Sequence, residues 1–322
     1  MIVPSKLQQG DEIRIIAPST SAKILGDTGV DKAKARLEEM GFVVTFGQHI
    51  YESDLFSSSS IESRVDDIHA AFSDPNVKAI LTAIGGFSSN EILPYLDYTL
   101  IKKNPKILCG FSDITALATA ITTKSEFVTY SGPHFSTFQM EKGRSYHEQN
   151  FLKCLTSSDS YSVTASSYWS DDEWYLDQEN RRFEQTNWKV FNEGEACGQI
   201  FGGNLSTLNL LQGTSYMPSG FDKKILFIED DYETRPQIFA RDLTSLLQSI
   251  LNVQALVIGR FQRASQMTDE DIEFILTKIP CVKDIPVLYN VDFGHTQSMF
   301  TFPIGGTVKV DTSSKKLDFW RF

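Results

Sequence analysis

The chain reads as an α/β protein: a parallel, doubly wound N-terminal domain followed by a smaller mixed α/β C-terminal domain. Three observations predict this. β-Branched runs alternate with segments of helical spacing over the first ~130 residues. The alternation breaks off in a stretch from Tyr161 to Phe191 that carries Trp169, Trp174 and Trp188 among acidic and amide residues. Strand and helix patterns then resume to the C-terminus.

Glu12 to Pro18 (EIRIIAP) is a β-branched run bounded by proline, as a buried parallel strand often begins. Asp31 to Met40 has helical spacing and stops at Gly41, and Phe42 to Phe46 is the second strand. Ile61, Val65, Ile68 and Phe72 line one helical face. Val77 to Ile84 is a third strand ending in Gly85-Gly86, after which Ser88 to Glu91 opens a short helix with capping residues. Lys106 to Cys109, Ser112 to Thr122 and Glu126 to Tyr130 follow as strand, helix and strand. The stretch from Tyr161 to Phe191 has no sustained period and reads as an ordered loop or hairpin. Beyond it, Gly202-Gly203-Asn204 opens a helix through Leu211. Lys224 to Glu229 is a strand, Arg235 to Leu251 a helix, and Ala255 to Gly259 and Ile285 to Tyr289 are strands. Thr307 to Asp311 and Leu317 to Phe319 form a closing antiparallel pair. The expected division is residues 1–165, a linker or substrate loop at 166–190, and residues 191–322.

Composition narrows the function classes. With 41% hydrophobic and 22% charged residues the 322-residue chain has ample material for a core. Thirty Lys plus Arg against 41 Asp plus Glu leave a net charge of −11, which disfavours a nucleic-acid polymer as partner. Cys109, Cys154, Cys197 and Cys281 are too dispersed for a CxxC pair or a zinc knuckle and read as buried free thiols. The N-terminal residues do not look like a secretory signal, and no run approaches the ~20 apolar residues of a membrane helix. A cytoplasmic address without membrane association is the expectation.

Four loop constellations could carry chemistry. In Gly110-Phe111-Ser112-Asp113-Ile114 a strand runs into a serine where a helix begins, the layout of a nucleophile elbow, although Ile114 replaces the second glycine of G-x-S-x-G. A helix N-cap is the competing role for Ser112. Gly85-Gly86 lets backbone N–H groups approach a ligand, or makes a plain tight turn. Ile225 to Asp231 is an apolar strand ending in Glu229, Asp230 and Asp231; such a terminus can orient an imidazole, hold a cation, or remain a solvated turn. Asn290 to Thr296 places His295 in a loop after a strand. Of the five histidines, His295 and His134 are the two in such loops.

Together these segments resemble the LD-carboxypeptidase family of serine peptidases, most closely its microcin C immunity branch. The carriers are Ile15 to Ser19, Gly85-Gly86, Gly110 to Asp113, Gly202 to Leu205, Phe227 to Asp230 and Phe293 to His295. The resemblance implies a flavodoxin-like N-terminal domain and a triad assembled across the domain interface. Ser112 is then the nucleophile, His295 the general base and Glu229 the acid that orients it, with N–H groups of Gly86 and Asp113 as the oxyanion hole. It implies no metal or cofactor, and a homodimer. Tyr168 to Tyr175 resembles the aromatic loop of the immunity branch; Trp174 first, and Trp169 second, would stack on a nucleobase, and Asn204 would contact substrate. The expected reaction is hydrolysis of an amide in a small peptide or aminoacyl-nucleotide compound. The alternative is release of terminal D-alanine from a murein tetrapeptide, for which Arg235 or Arg260 would bind the carboxylate. A non-catalytic ligand-binding protein is the third reading.

Overall fold

Two sheets organise the chain. The computed structural model describes residues 1–218 and 220–320. The first sheet is built from β1 (Glu12–Ile16), β2 (Val43–Phe46), β3 (Val77–Thr82), β4 (Ile107–Cys109) and β5 (Thr129–Ser131). Between and after them run α1 (Gly26–Glu39), α2 (Ile61–Ser73), α3 (Tyr98–Lys103), α4 (Ile114–Ser125) and α5 (Ser145–Thr156). These five strands are parallel and lie in the order β5-β4-β3-β1-β2, the flavodoxin-like arrangement. Local signals agree with the packing: the Ser60 hydroxyl accepts from Ser63 N at 3.0 Å to cap α2, whose Val65, Ile68, Ala71 and Phe72 are buried.

The remaining chain supplies β6 (Tyr161–Val163), β7 (Tyr168–Trp169), β8 (Glu184–Gln185), β9 (Lys189–Asn192), β10 (Glu195–Asn204), α6 (Leu205–Asn209) and β11 (Lys224–Glu229). It continues through α7 (Pro236–Ser249), β12 (Val253–Gly259), α8 (Asp269–Thr277), β13 (Val287–Val291), β14 (Phe302–Ile304), β15 (Thr307–Asp311) and β16 (Lys316–Trp320). The second sheet has the order β6-β16-β15-β10-β11-β12-β13-β9, parallel from β10 to β13 and antiparallel at its flanks. Every residue of β11 (KILFIE) is buried, as expected of a central parallel strand covered on both faces. The two halves interlock, because β14 leaves the second unit and pairs antiparallel with β5 at the edge of the first sheet. Pro303 sits in that edge strand, where a missing N–H costs no ladder bond to a further neighbour.

The structure corrects several local expectations. Gly202, Gly203 and Asn204 end the ten-residue β10 rather than opening a helix; α6 begins at Leu205. Glycines weaken the strand signal in sequence, whereas parallel pairing of Gly202 to Asn204 with Phe227 to Glu229 of β11 restores it. Helices α3, α5 and α8 and strands β6, β9 and β14 lie outside the elements read from the sequence. Cys109 and Cys154 are buried, but Cys197 and Cys281 are exposed. Within Tyr161 to Phe191 only the middle is a hairpin, with β7 paired to β8; β6 and β9 at its ends join the second sheet through β16 and β13. Among the described residues no helix is long and apolar enough to cross a membrane.

Candidate active site

Parallel strands of both sheets end at one place. Ser112 follows β4 and immediately precedes α4, the Gly85-Gly86 turn follows β3, Glu229 closes β11, and His295 lies between β13 and β14. Ligand crevices form at such carboxyl ends. Ser112 has φ 59°, a left-handed conformation that costs a non-glycine residue about 1–3 kcal/mol. This strained turn carries the serine clear of its own strand. A Cβ at Gly85 would lie 3.0 Å from Ser112 Cβ, so any side chain there would press on the elbow.

Asp113 is buried, and its carboxylate accepts from Ser19 Oγ at 2.5 Å and from Ser89 N at 2.8 Å. The Ser89 hydroxyl donates to Asp113 O at 2.6 Å, which closes a lock between the elbow and the segment after Gly86. Across the domain interface, Asn204 N donates to Thr115 Oγ1 of α4 at 2.9 Å.

Ser112 Oγ lies 2.9 Å from His295 Nε2, and His295 Nδ1 lies 2.6 Å from Glu229 Oε2. With Nδ1–H donating to the carboxylate, Nε2 is left to accept the serine hydroxyl. Gly294 has φ +98°, and a Cβ there would fall 2.5 Å from Glu229 Oε2. A side chain at that position would therefore displace the carboxylate that holds the ring. Burial alone would lower the His295 pKa, but the charge and hydrogen bond of Glu229, backed by Asp231 and Asp230, raise it above the ordinary 6.5. Phe111 packs edge-on to His295 with centroids 5.2 Å apart and stacks on His134 at 4.3 Å.

His134, the other loop histidine, is unsuited to the same work. It is buried with Nδ1 2.7 Å from Thr82 Oγ1, and burial together with repulsion from His295 lowers its pKa to about 3.

Comparison with known proteins agrees with this geometry. The LD-carboxypeptidase N-terminal domain matches residues 13–132 and the LD-carboxypeptidase C-terminal domain matches residues 197–310. The chain belongs to the LD-carboxypeptidase family. It is thus a serine hydrolase of that family. The Bacillus subtilis protein YocD is 52% identical over 319 residues, covering 98% of each chain. The crystal structure of an MccF-like protein from Bacillus anthracis superposes with a TM-score of 0.97 at 50% identity over 100% of both chains. The microcin C7 self-immunity protein MccF of Escherichia coli is 28% identical over 98% of this chain and 95% of its own. Its complex with aspartyl sulfamoyl adenosine superposes with a TM-score of 0.92 over 100% of this chain and 99% of that one.

Two cavities flank the Ser112–His295 pair in this LD-carboxypeptidase family member. One, of about 370 Å³, is walled by Gly86, Phe87, Ser112, Asp113 and residues of the acidic turn after β11. The other, of about 600 Å³, is walled by His295, Trp174, Tyr175, Tyr232 and Arg263. Trp174 therefore reaches the site. The aromatic hairpin is tied to the histidine loop by Ser170 N to Gln297 O at 2.5 Å and Gln297 N to Ser170 O at 2.9 Å. It is further held by Asp171, which accepts from Arg263 N at 2.6 Å, and by Asp172, which accepts from Arg181 Nε at 2.5 Å.

Trp169 has a different setting: the guanidinium carbons of Arg260 and Arg263 lie 4.8 and 5.1 Å from its ring centroid, and it lines neither cavity. Asn204 is buried; its Oδ1 accepts from Thr207 N at 3.0 Å as the cap of α6, and its amide donates to Asp230 Oδ1 at 3.2 Å. Arg260 is held by Asp292 at 2.8 Å, and Arg235 donates to the carbonyls of Tyr232 and Thr234. Tyr232 and Arg263 went unnoticed in the sequence, since neither stands in a motif and only the folding of two distant loops brings them beside His295.

Proposed function

We propose that this enzyme hydrolyses the amide joining an aminoacyl or peptidyl group to a nucleotide-like leaving group. The observation that carries the reading is the roomy cavity beside His295, walled by Trp174, Tyr175, Tyr232 and Arg263. Its aromatic rings suit a nucleobase; the Arg263 guanidinium beside them is paired with Glu184. Kinship with MccF, whose aspartyl sulfamoyl adenosine complex shares this fold, supports the same substrate class.

The roles follow from the hydrogen bonds. Ser112 Oγ attacks the acyl carbon as its proton passes to His295 Nε2, and Glu229 stabilises the imidazolium. N–H groups of Gly86 and Asp113 take the oxyanion. The carbon–nitrogen bond breaks as His295 protonates the leaving nitrogen, and water attacks the Ser112 ester to regenerate the enzyme. Trp174 is the stacking residue, and Asn204 serves substrate indirectly by holding Asp230. In this reading residues 1–165 carry the nucleophile, 166–190 the aromatic loop, and 191–322 the acid and base. The enzyme works in the cytoplasm as a homodimer, for which light scattering should give twice the 36.2 kDa chain mass.

The decisive experiment incubates the protein with aspartyl- and alanyl-sulfamoyl adenosine and, separately, with a murein tetrapeptide, following products by mass spectrometry beside Ser112→Ala. Release of sulfamoyl adenosine, lost in the variant, is expected. Release of D-alanine alone would overturn the reading in favour of a murein carboxypeptidase.

A further inference from the structure

The two cavities beside the triad differ in aromatic content and in how their acids are engaged. The wall on the His295 side is aromatic, and its three acids are all engaged, Asp171 by Arg263 N, Asp172 by Arg181 and Glu173 by the Tyr175 hydroxyl, whereas the cleft on the Ser112 side gathers Asp113, Asp230, Asp231, Glu233 and Asp242 around Arg241. Arg241 is already paired with Asp242 at 2.9 Å, and Asp113 is occupied by Ser19 and Ser89. Three carboxylates remain, graded from floor to mouth: Asp230 is buried, Asp231 is half-buried with its Oδ1 accepting from Glu233 N at 2.8 Å, and Glu233 is exposed.

Asp230 is the informative one. It is 1% exposed; its Oδ1 accepts from Ser206 Oγ at 2.9 Å and from the Asn204 amide, yet its Oδ2 has no hydrogen-bond partner. A buried carboxylate oxygen left without a donor is costly, and a ligand donor removes that cost. Burial, with the charge of Glu229 adding to it, pushes the Asp230 carboxyl up to about 7.

Proton transfer assigns the two sides. His295 Nε2 must protonate the departing nitrogen, so the leaving group lies against the His295 wall and the acyl group falls on the Ser112 side.

We infer that the Ser112-side cleft is the acyl subsite and that Asp230, Asp231 and Glu233 select acyl groups carrying positive charge. The α-ammonium of an aminoacyl group docks at Asp230, and a basic side chain extends toward Asp231 and Glu233 at the mouth. Acidic acyl groups meet like charge and are turned over slowest. This inference rests on the amide-hydrolase reading above and adds the acyl specificity to it.

The test compares lysyl, alanyl and aspartyl acyl groups in two series, the sulfamoyl adenosines and the p-nitroanilides, which lack a nucleotide. The expected order of kcat/KM is lysyl, then alanyl, then aspartyl in both, with roughly tenfold or more between the extremes. Glu233→Gln and Asp231→Asn should compress the lysyl-to-aspartyl ratio, a readout that a general folding defect would not move. N-acetylation of the alanyl substrates should lower kcat/KM. Equal rates, or an aspartyl preference, would overturn the acyl subsite while leaving the nucleotide reading intact. Charge-ordered cleavage of the anilides without cleavage of the adenosine compounds would keep the subsite and remove the nucleotide. Cleavage of neither series would overturn both.

Discussion

The N-terminal and C-terminal halves bring their parts of the site into place by different means. The N-terminal half uses backbone: Ser112 sits at φ 59° on a turn between β4 and α4, with Gly85 of the loop after β3 packed against it. The C-terminal half uses side chains: His295 is held in a loop by Glu229, itself fixed at the end of a buried strand. A strained backbone needs a local motif, whereas a side-chain relay needs two distant segments to meet. The first half should therefore tolerate little change in conformation, and the second little change in packing.

The largest effect separates chemistry from strain. Ser112→Ala should abolish turnover, by up to ~10⁶-fold in kcat if the triad acts as a unit, with the fold retained. Ser112→Gly should be equally inactive but melt at a higher temperature than Ser112→Ala, because glycine adopts φ 59° without penalty. Equal melting temperatures by calorimetry would show that the elbow stores no strain. Glu229→Gln comes next: it keeps the shape but removes the charge proposed to stabilise the imidazolium, and kcat should fall by about 10⁴-fold. A loss of tenfold or less would leave the histidine loop, rather than the acid, as what holds His295.

Gly294→Ala probes the packing of the C-terminal half without touching a reacting atom. Its Cβ would press on Glu229 Oε2 from 2.5 Å, so kcat should drop by about 10²-fold, as small misplacements in a relay do. A smaller effect again is expected for the aromatic loop. Trp174→Ala should raise KM for adenosine-bearing substrates by about tenfold or more, a stacking contribution of ~1–3 kcal/mol. It should leave the matching anilides unaffected. Trp169→Ala should lower the melting temperature instead, since its ring packs with Arg260 and Arg263. An exchange of these two phenotypes would reverse the assignment of the tryptophans.

The same contrast governs how much was legible in the sequence. The βα alternation up to Tyr130 is a local pattern, and so is the serine between a strand and a helix. Glu229 and His295 were legible as strand-end and loop residues, yet their meeting with Ser112, 183 residues from His295, has no local signature. Strand β10 was obscured by the Gly202-Gly203 pair, and β14 by its length of three residues and by Pro303. Tyr232, Arg263 and the tie between Ser170 and Gln297 depend wholly on tertiary placement.

The finest distinction between the halves is electrostatic. In the proposed mechanism His295 must be neutral to accept the Ser112 proton, so kcat/KM should fall as pH drops through its pKa, and the acidic limb should lie above 6.5. Asp230→Asn removes one of the negative charges that raise this pKa, so the limb should move toward lower pH. The movement should be small, because Asp230 is itself largely protonated below about 7 and contributes little charge there. A limb displaced to higher pH would exclude this coupling. Stability gives an independent check with a definite sign. The Asp230 carboxyl is raised from 3.8 to about 7, so between those values the native protein keeps a proton that the unfolded chain has released. Stability is therefore lost as pH rises across that window, and His295, whose pKa is also raised, continues the loss above 6.5. Asp230→Asn should flatten the lower part of this decline and leave the His295 part in place, a difference that urea unfolding at successive pH values resolves.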